Sequence, residues 1–231
     1  MKRFYKDVAV DRTAEGWRIL LDGKPVKTPG RNDLLLPQAR LADVIAGEWR
    51  AQADEVAPVS MPMLRLANTV IDGVTPNRES VIAAILRFGE HDAICHRATW
   101  PAELVARQGE AWTPMLEWAA SRHGARLETI VGLGEITQPP GTLDKLRGAV
   151  AAYDDFALAA LHVMASITGS LVLALALAEG AINPAQAFQM SRLEEDHQAA
   201  QWGQDAEASA RVQALAREMV VATAFLAASR P

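Results

Sequence analysis

Short apolar runs separated by turn signals dominate the first part of the chain. Phe4–Val10 and Trp17–Leu21 are candidate strands, and Asp22-Gly23, placed between the second of these and Lys24–Thr28, is a strong β-hairpin signal. From Pro37 onward the apolar positions recur at intervals of three and four, which is typical of an amphipathic helix. The pattern predicts a small region of mixed strand and helix.

Helix-start signals replace the strand pattern in the rest of the chain. Thr75-Pro76 and Thr113-Pro114 each place a proline directly after an N-cap residue, and the first of them predicts a helix over Asn77–Cys95. Asn183-Pro184, with Gln186 in the third helical position, indicates another helix start. These signals continue to a final apolar stretch and predict helices throughout.

This change of pattern gives the predicted domain organisation. We expect an α+β fold, with a small mixed strand/helix N-terminal domain over residues 1–72 and a larger all-helical C-terminal domain over residues 73–231. Much of the apolar content after Ala149 is alanine, which favours helix and adds little volume. Closely packed helices are the expected result.

One apolar stretch is long enough to raise the question of a membrane span. Phe156–Ala178 contains no Asp, Glu, Lys or Arg, but it is interrupted by small and polar residues, among them Gly169 and Ser170. Acidic residues flank it on both sides, with no basic cluster to set a topology. We predict a buried helix or helix pair with Gly169 as a close-packing point, and a membrane-attached protein is the alternative.

Composition excludes several classes of protein. The chain has 231 residues, of which 50% are hydrophobic and 22% charged, a balance that excludes intrinsic disorder. A net charge of −5 and a pI near 5.6 argue against nucleic-acid binding. The single cysteine excludes an internal disulfide framework and favours a reducing compartment. Gly132-Leu133-Gly134 lacks the third glycine of a dinucleotide-binding loop and predicts a turn.

Two groups of residues have partial metal-binding character. His91, Cys95 and His96 lie close in sequence, and the first two would share a face of the predicted helix. A stable zinc site needs three or four converging ligands, so this cluster is incomplete, but it defines the alternative function, a metal-dependent enzyme. Glu194 and His197 have the spacing of a di-iron motif, which those proteins use twice and this chain uses once. We expect no metal and no cofactor.

A polar helix near the C-terminus has the character of a contact surface. Glu194, Gln198 and Gln201 share one face by their spacing, and Trp202 lies at the end of the helix. Acid and amide groups beside an exposed tryptophan suit a protein interface, while a solvated acidic face with a core tryptophan is the equally supported alternative. Trp49, on the apolar face of an earlier helix, is expected to pack in the core.

Short motifs spread over the chain point to one family. They are Arg3-Phe4-Tyr5-Lys6, Leu21-Asp22-Gly23-Lys24 with Lys27-Thr28-Pro29, Glu48-Trp49-x-x-Gln52, Met61-Pro62-Met63 through Asn68-Thr69 to Asp72, Asp92-x-Ile94-Cys95, Trp112-x-Pro114 with Glu117-Trp118, and Ser191-Arg192-Leu193-Glu194-Glu195-x-x-Gln198-x-x-x-Trp202-Gly203. In this order and spacing the sequence resembles the assembly chaperones of the ATP synthase catalytic head that hold its alpha subunit.

The resemblance implies a function as well as a fold. Members of that family bind the unassembled alpha subunit, shield the surfaces it presents to the beta subunit, and perform no catalysis. By position, the critical acid of the family falls on Glu194, and Trp49 matches a tryptophan of the first domain. We expect both to bind the partner, with Glu195, Gln198 and Trp202 in support. After Gly203 the chain departs from the family pattern and continues Gln204-Asp205-Ala206-Glu207-Ala208.

Partners and location follow from the same resemblance. The expected partner is the unassembled ATP synthase alpha subunit, with no nucleic-acid partner and no stable insertion into a membrane. The chain shows neither a secretory signal nor a transit peptide before Arg3. We therefore expect a cytoplasmic protein if the chain is bacterial, or a mitochondrial matrix protein if it is a processed eukaryotic chain.

Overall fold

The computed structural model describes residues 1–203 and 205–231. Two compact units are present. The first comprises Met1–Arg78 with Asp154–Ala160 and Ala224–Pro231, and the second comprises Glu79–Tyr153 and Leu161–Thr223. Strands are concentrated near the N-terminus and the remainder is mostly helical, which confirms the predicted α+β class.

Most of the regular structure in the described residues is α-helix. The strands are β1 (Val8–Arg12), β2 (Trp17–Leu21), β3 (Lys24–Pro25), β4 (His96–Arg97) and β5 (Ile130–Val131). The helices are α1 (Ala39–Arg50), α2 (Pro62–Thr69), α3 (Arg78–Glu90), α4 (Ala102–His123), α5 (Pro140–Ala151), α6 (Asp155–Thr168), α7 (Leu171–Ala178), α8 (Pro184–Ser191), α9 (Leu193–Trp202) and α10 (Ala206–Ser229). The parallel pair β4–β5 adds a small strand element to the mostly helical second unit.

The first unit is built around an antiparallel meander. β1 pairs with β2 and β2 with β3, and the predicted hairpin turn lies between the last two. Asp22 and Gly23 both have positive φ, 49° and 76°, as a tight hairpin turn of this kind requires. The Asp22 carboxylate also accepts hydrogen bonds from the main-chain N–H groups of Lys6 and Asp7, at 3.0 and 2.8 Å. The turn therefore joins β2 to β3 and also positions the N-terminal segment.

A half-buried carboxylate, that of Glu48, connects α1 to the start of α2. The two oxygens of Glu48 accept from the N–H groups of Met63 and Leu64 at 2.8 and 2.9 Å. These N–H groups belong to the first turn of α2, where no helical carbonyl is available to them. Burial raises the pKa of Glu48, against these hydrogen bonds, which lower it.

Neither of the two predicted threonine N-caps is present, although α3 does begin at Arg78, one residue from its predicted start. Thr75 does not cap a helix, because a π-helical turn (Val70–Val74) and a 3₁₀ turn (Thr75–Asn77) join α2 to α3. Pro114 lies inside α4, which begins after Pro101 and runs to His123. Proline directly after threonine satisfies the sequence rule for a helix start, but tertiary packing keeps both segments helical.

The predicted end of α3 is also wrong. The helix ends at Glu90, and Cys95 lies in a separate 3₁₀ turn (Ala93–Cys95) that Asp92 caps. The fully buried Asp92 carboxylate accepts from Ile94 N at 3.2 Å and Val172 N at 3.0 Å. Burial raises the pKa of Asp92 to about 6. The hydrogen bonds of Asp92 therefore connect the turn before β4 to the start of α7.

The long apolar stretch forms a helix pair, as predicted. α6 and α7 are separated by Gly169, whose φ of 65° favours glycine, and by Ser170, whose hydroxyl accepts from Leu173 N at 3.0 Å. All eight residues of α7 are buried. An added Cβ at Gly169 would lie 3.4 Å from Ala93 Cβ, whereas one at Gly89 in α3 would lie only 3.0 Å from Leu171 Cδ2, so the closer approach is at Gly89.

One helix in the described residues, α10, is long and apolar enough to cross a membrane by length and composition. A third of the residues in its apolar window are buried within the protein. Core helices of proteins that never enter a membrane meet the same criterion, so it is weak evidence for a span.

Candidate functional site

Glu194 lies near the start of α9, on the side of that helix that faces solvent. The capping box of Asn183 and Gln186 starts α8 as predicted, and the helix direction changes at Arg192 before α9 begins. Leu193 and His197 are buried, so the intervening positions of α9 are exposed. Glu194 and Gln198, one helical turn apart, line the same cavity of ≈ 610 Å³, here termed the Glu194 cavity.

A buried glutamine fixes the Glu194 carboxylate. Gln108 is 1% exposed, and its Nε2 donates to Glu194 Oε1 at 2.7 Å. Its Oε1 accepts from the N–H of Ala98 at 2.8 Å, so the amide orientation is set from both ends. No hydrogen bond to Glu194 Oε2 occurs within residues 1–203 and 205–231. One carboxylate oxygen is therefore positioned and the other is available to a partner.

Arg97 and Trp112 hold Gln108 in turn. Arg97 Nη1 donates to the main-chain oxygen of Gln108 at 2.8 Å, and its guanidinium carbon lies 5.3 Å from the centre of the Trp112 ring. Trp112 Nε1 donates to Met190 O at 2.8 Å, which links α4 to α8. Burial lowers the pKa of Arg97. The Glu194 carboxylate is therefore held by Gln108, whose position depends in turn on Arg97 and Trp112.

Two exposed apolar side chains line the Glu194 cavity, together with polar side chains that include Arg97. The β4–β5 pair brings the loop after each strand to the cavity wall, with Trp100 in one loop and Leu133 in the other. Trp100 is 76% exposed and Leu133 is fully exposed. Gly132 permits this close approach, because its φ is 83° and an added Cβ would lie 3.2 Å from Thr99 Cγ2. A carboxylate flanked by exposed apolar groups is suited to binding another protein.

The other predicted residues of α9 lie elsewhere on the surface. Glu195 lines a different cavity of ≈ 620 Å³, together with Arg192 and Arg211. Trp202, at the end of α9, is 85% exposed. The departure from the family pattern begins at Gln204, which lies outside the described residues. Of the predicted acids, Glu194 is therefore the one that the structure places with Gln198.

Trp49 belongs to the first unit and is 7% exposed, in agreement with its expected core position, while its predicted contact with the partner stays a prediction. Its ring makes an edge contact with Tyr5 at 5.4 Å between centroids, and Tyr5 Oη donates to Trp49 O at 2.6 Å. Part of the side chain lines an apolar cavity of ≈ 610 Å³ within the first unit, here termed the Trp49 cavity.

The residues of the alternative metal site do not converge. Burial raises the pKa of Cys95 to about 12, and the Asp92 charge acts in the same direction, so the thiolate that metal binding requires is disfavoured. His91 is exposed after the end of α3, while His96 lies in β4. The described residues contain no group of three or more His, Cys, Asp or Glu side chains placed to hold a metal ion.

Sequence reasoning misses Gln108, Trp100 and Leu133. Leu133 falls in the loop for which the sequence predicts only a turn, and Gln108 is 86 residues from Glu194, within an ordinary helical pattern. No local signal marks a single polar residue at such a position as buried. The apolar residue between two glycines, in contrast, is recognisable as an exposed loop tip.

Comparison with known proteins gives one consistent result. Residues 2–120 match the family model described as ATP12 chaperone protein. Two structures of Atp12 from Paracoccus denitrificans, one of them a point mutant, are each 38% identical to this chain, with a TM-score of 0.96 and coverage of 99% of this chain and 98% of theirs. The Atu1473 protein from Agrobacterium tumefaciens is 43% identical, with a TM-score of 0.92 and coverage of 99% and 85%.

Proposed function

The chain belongs to the ATP12 chaperone protein family, and we propose that it assists ATP synthase assembly by binding the unassembled alpha subunit at the Glu194 cavity. Family membership points to a binding role without catalysis. We further propose a bacterial, cytoplasmic setting, since two of its structural relatives come from named bacteria.

The observation that supports the Glu194 cavity is the positioned carboxylate among exposed apolar groups. Gln108 fixes one oxygen of Glu194, and Trp100 and Leu133 offer apolar area beside it. A client surface with a basic residue surrounded by apolar side chains complements this arrangement. A charge-assisted hydrogen bond of this kind contributes about 1.5–3 kcal/mol, and the apolar contact adds to it.

Such a surface suits reversible binding. The electrostatic contact selects the client, while the moderate apolar area covers part of its assembly interface without permanent burial. Gln198 supplies a further polar group to the cavity, and Trp202 supplies an exposed aromatic contact farther along α9.

Co-expression with the alpha subunit tests the proposal. We compare wild type with Glu194→Lys, and with Glu195→Lys as a matched control, because it makes the same charge change one residue away and lines a different cavity. The expected result is that soluble, co-purifying alpha subunit falls at least tenfold with Glu194→Lys, since about 1.4 kcal/mol corresponds to tenfold, and much less with Glu195→Lys.

Equal recovery of the alpha subunit with wild type and Glu194→Lys would show that the assigned surface is wrong. Failure of wild type to recover the alpha subunit would instead remove the client assignment. Thermal unfolding of each variant separates loss of binding from loss of fold. Glu194→Lys is expected to remain folded with a lower unfolding temperature, because residue 194 is exposed but the buried Gln108 loses its acceptor.

A further inference from the structure

The Trp49 cavity has the character of a second binding site, and it shares no lining residue with the Glu194 cavity. Its volume of ≈ 610 Å³ falls within the range of about 300–1,000 Å³ that is usual for ligand sites. The wall is mostly apolar and includes Tyr5, Trp49, Met61 and Leu64. At the rim Phe4 is 62% exposed and Met1 is 73% exposed, so the apolar area continues from the cavity onto the surface.

The rim of the cavity is basic although the whole chain is acidic. Lys24, Lys27 and Arg65 line it, against one acid, Asp22. Lys27 is paired with Asp33, with Nζ and Oδ1 2.9 Å apart, so the unbalanced positive charge comes from Lys24 and Arg65. Asp22 accepts two main-chain hydrogen bonds that lower its pKa and hold it in the hairpin turn. The chain carries a net charge of −5, so this local excess of positive charge runs against its overall charge. The rim therefore favours a partner with negative charge beside an apolar group.

Two polar atoms on residues of the wall are buried and lack a hydrogen-bond partner within the described residues. They are Trp49 Nε1, a donor, and Asn68 Oδ1, an acceptor. Unpaired buried groups are costly and call for an explanation. A peptide unit offers one carbonyl and one N–H, which complement the two atoms. Since both atoms are shielded from solvent, their side chains must shift as a segment enters.

We propose that the Trp49 cavity binds an extended peptide segment of the client in which a bulky apolar side chain adjoins an acidic residue. The apolar side chain fills the cavity, the acid pairs with Lys24 and Arg65 at the rim, and the peptide unit pairs with Trp49 and Asn68. The loop that supplies Lys27 and Thr28 is held in place by Asp72, which accepts from Thr28 Oγ1 at 2.6 Å. The identification of the segment as the client's rests on the proposed function.

The indole N–H signal of Trp49 in ¹H–¹⁵N spectra of the full chain tests this site. The chain has six tryptophans, so five indole signals serve as internal references, and Trp49→Phe assigns the sixth. The probes are three blocked peptides at millimolar concentration: acetyl-Asp-Leu-Phe-Asp-amide, its Lys-Leu-Phe-Lys analogue, and its Asp-Ser-Ser-Asp analogue. We expect the Trp49 signal to shift and saturate with the first, with at least fivefold weaker binding of the second and none of the third.

Two variants sharpen the result. Lys24→Glu is expected to weaken the acidic apolar peptide about threefold to tenfold and to improve the lysine analogue, whereas Arg40→Glu, exposed on α1 and outside the cavity, changes neither. An unmoved Trp49 signal, or equal binding of acidic and lysine peptides, would overturn the proposal.

Recovery of the alpha subunit distinguishes this inference from the proposed function. If wild type retains the alpha subunit while the Trp49 signal does not respond to the peptides, the proposed function stands and the second site is wrong. If the signal responds but wild type does not retain the alpha subunit, the assignment of the segment to that client is wrong.

Discussion

The two cavities have nearly the same volume but differ in how deeply their lining side chains are buried. The lining of the Trp49 cavity includes core side chains, such as Trp49 and Met61, with exposed side chains at its rim. The walls of the Glu194 cavity include exposed residues, Trp100 and Leu133, around a carboxylate. Truncation in the first therefore changes stability and binding together, whereas truncation in the second can change binding alone.

The largest expected effect comes from Trp49→Ala. Loss of a buried aromatic side chain costs about 3–5 kcal/mol of the free energy of unfolding. Leu133→Ala, on the wall of the other cavity, is expected to change it by less than about 0.5 kcal/mol because the side chain is exposed. Chemical denaturation of both variants measures the difference, and similar losses of stability would contradict the contrast between the cavities.

The next test concerns Asp92, the buried carboxylate that precedes β4 and the loop lining the Glu194 cavity. Asp92→Ala removes the acceptor for the N–H groups of Ile94 and Val172, close to the start of β4, and is expected to cost about 2–4 kcal/mol. The measurement is again denaturation, with Asp144→Ala, exposed on α5, as a control. A loss below about 1 kcal/mol would show that the buried carboxylate contributes little.

Asp92 also makes the free energy of unfolding depend on pH, with stability falling as the pH rises. Burial raises the pKa of this group to about 6 in the folded chain, above the ordinary value of 3.8. The folded state therefore holds the proton more tightly, so this contribution to stability is fully present below the ordinary pKa and is lost as the pH rises through about 6. Between about pH 5 and pH 7.5 the expected loss is about 1–2 kcal/mol. Denaturation over that range should show a smaller decline for Asp92→Asn than for wild type, and parallel curves would contradict this.

Gln108→Ala tests whether Glu194 must be held in place. The variant leaves the acid itself intact but removes the hydrogen bond to its Oε1, and we expect client affinity to fall about fivefold to tenfold. Gln108→Glu is a useful partner variant, since a second carboxylate would repel Glu194. A positioning role predicts a larger loss for Gln108→Glu than for Gln108→Ala, and unchanged affinity in both variants would contradict it.

The smallest stability effect is expected for Trp202→Ala. The side chain is 85% exposed, so the free energy of unfolding should change by less than about 0.5 kcal/mol. Client affinity should nevertheless fall about threefold to tenfold if the aromatic ring contacts the alpha subunit. Titration of the purified client measures this, and unchanged affinity would limit the contact surface to the Glu194 cavity.

Local chemistry makes part of this fold predictable. Asp22-Gly23 determines a hairpin by backbone conformation, and Asn183 with Gln186 determines a helix start by reciprocal hydrogen bonds. Thr113-Pro114 satisfies a similar local rule and fails, because packing along α4 keeps the helix continuous through the proline. Propensity yields to tertiary contact when the two conflict.

The candidate site, like the fold, is predictable from the sequence only in part. Helical spacing correctly places Glu194 and Gln198 together, since both lie on one face of a single helix. It cannot reveal Gln108, whose contact with Glu194 depends on how α4 packs against α9. It also cannot separate Glu194 from Glu195, because adjacent helical residues point in different directions and only the surrounding elements decide what each one faces.

Site-specific photocrosslinking from the cavity wall tests the central claim most directly. A photoreactive amino acid at position 133 projects from the Glu194 cavity, and one at position 220 projects from an exposed site on α10. With purified alpha subunit, we predict a covalent adduct from position 133 that Glu194→Lys abolishes, and little adduct from position 220. Equal adducts from both positions, or an adduct from position 133 that Glu194→Lys leaves unchanged, would contradict the account.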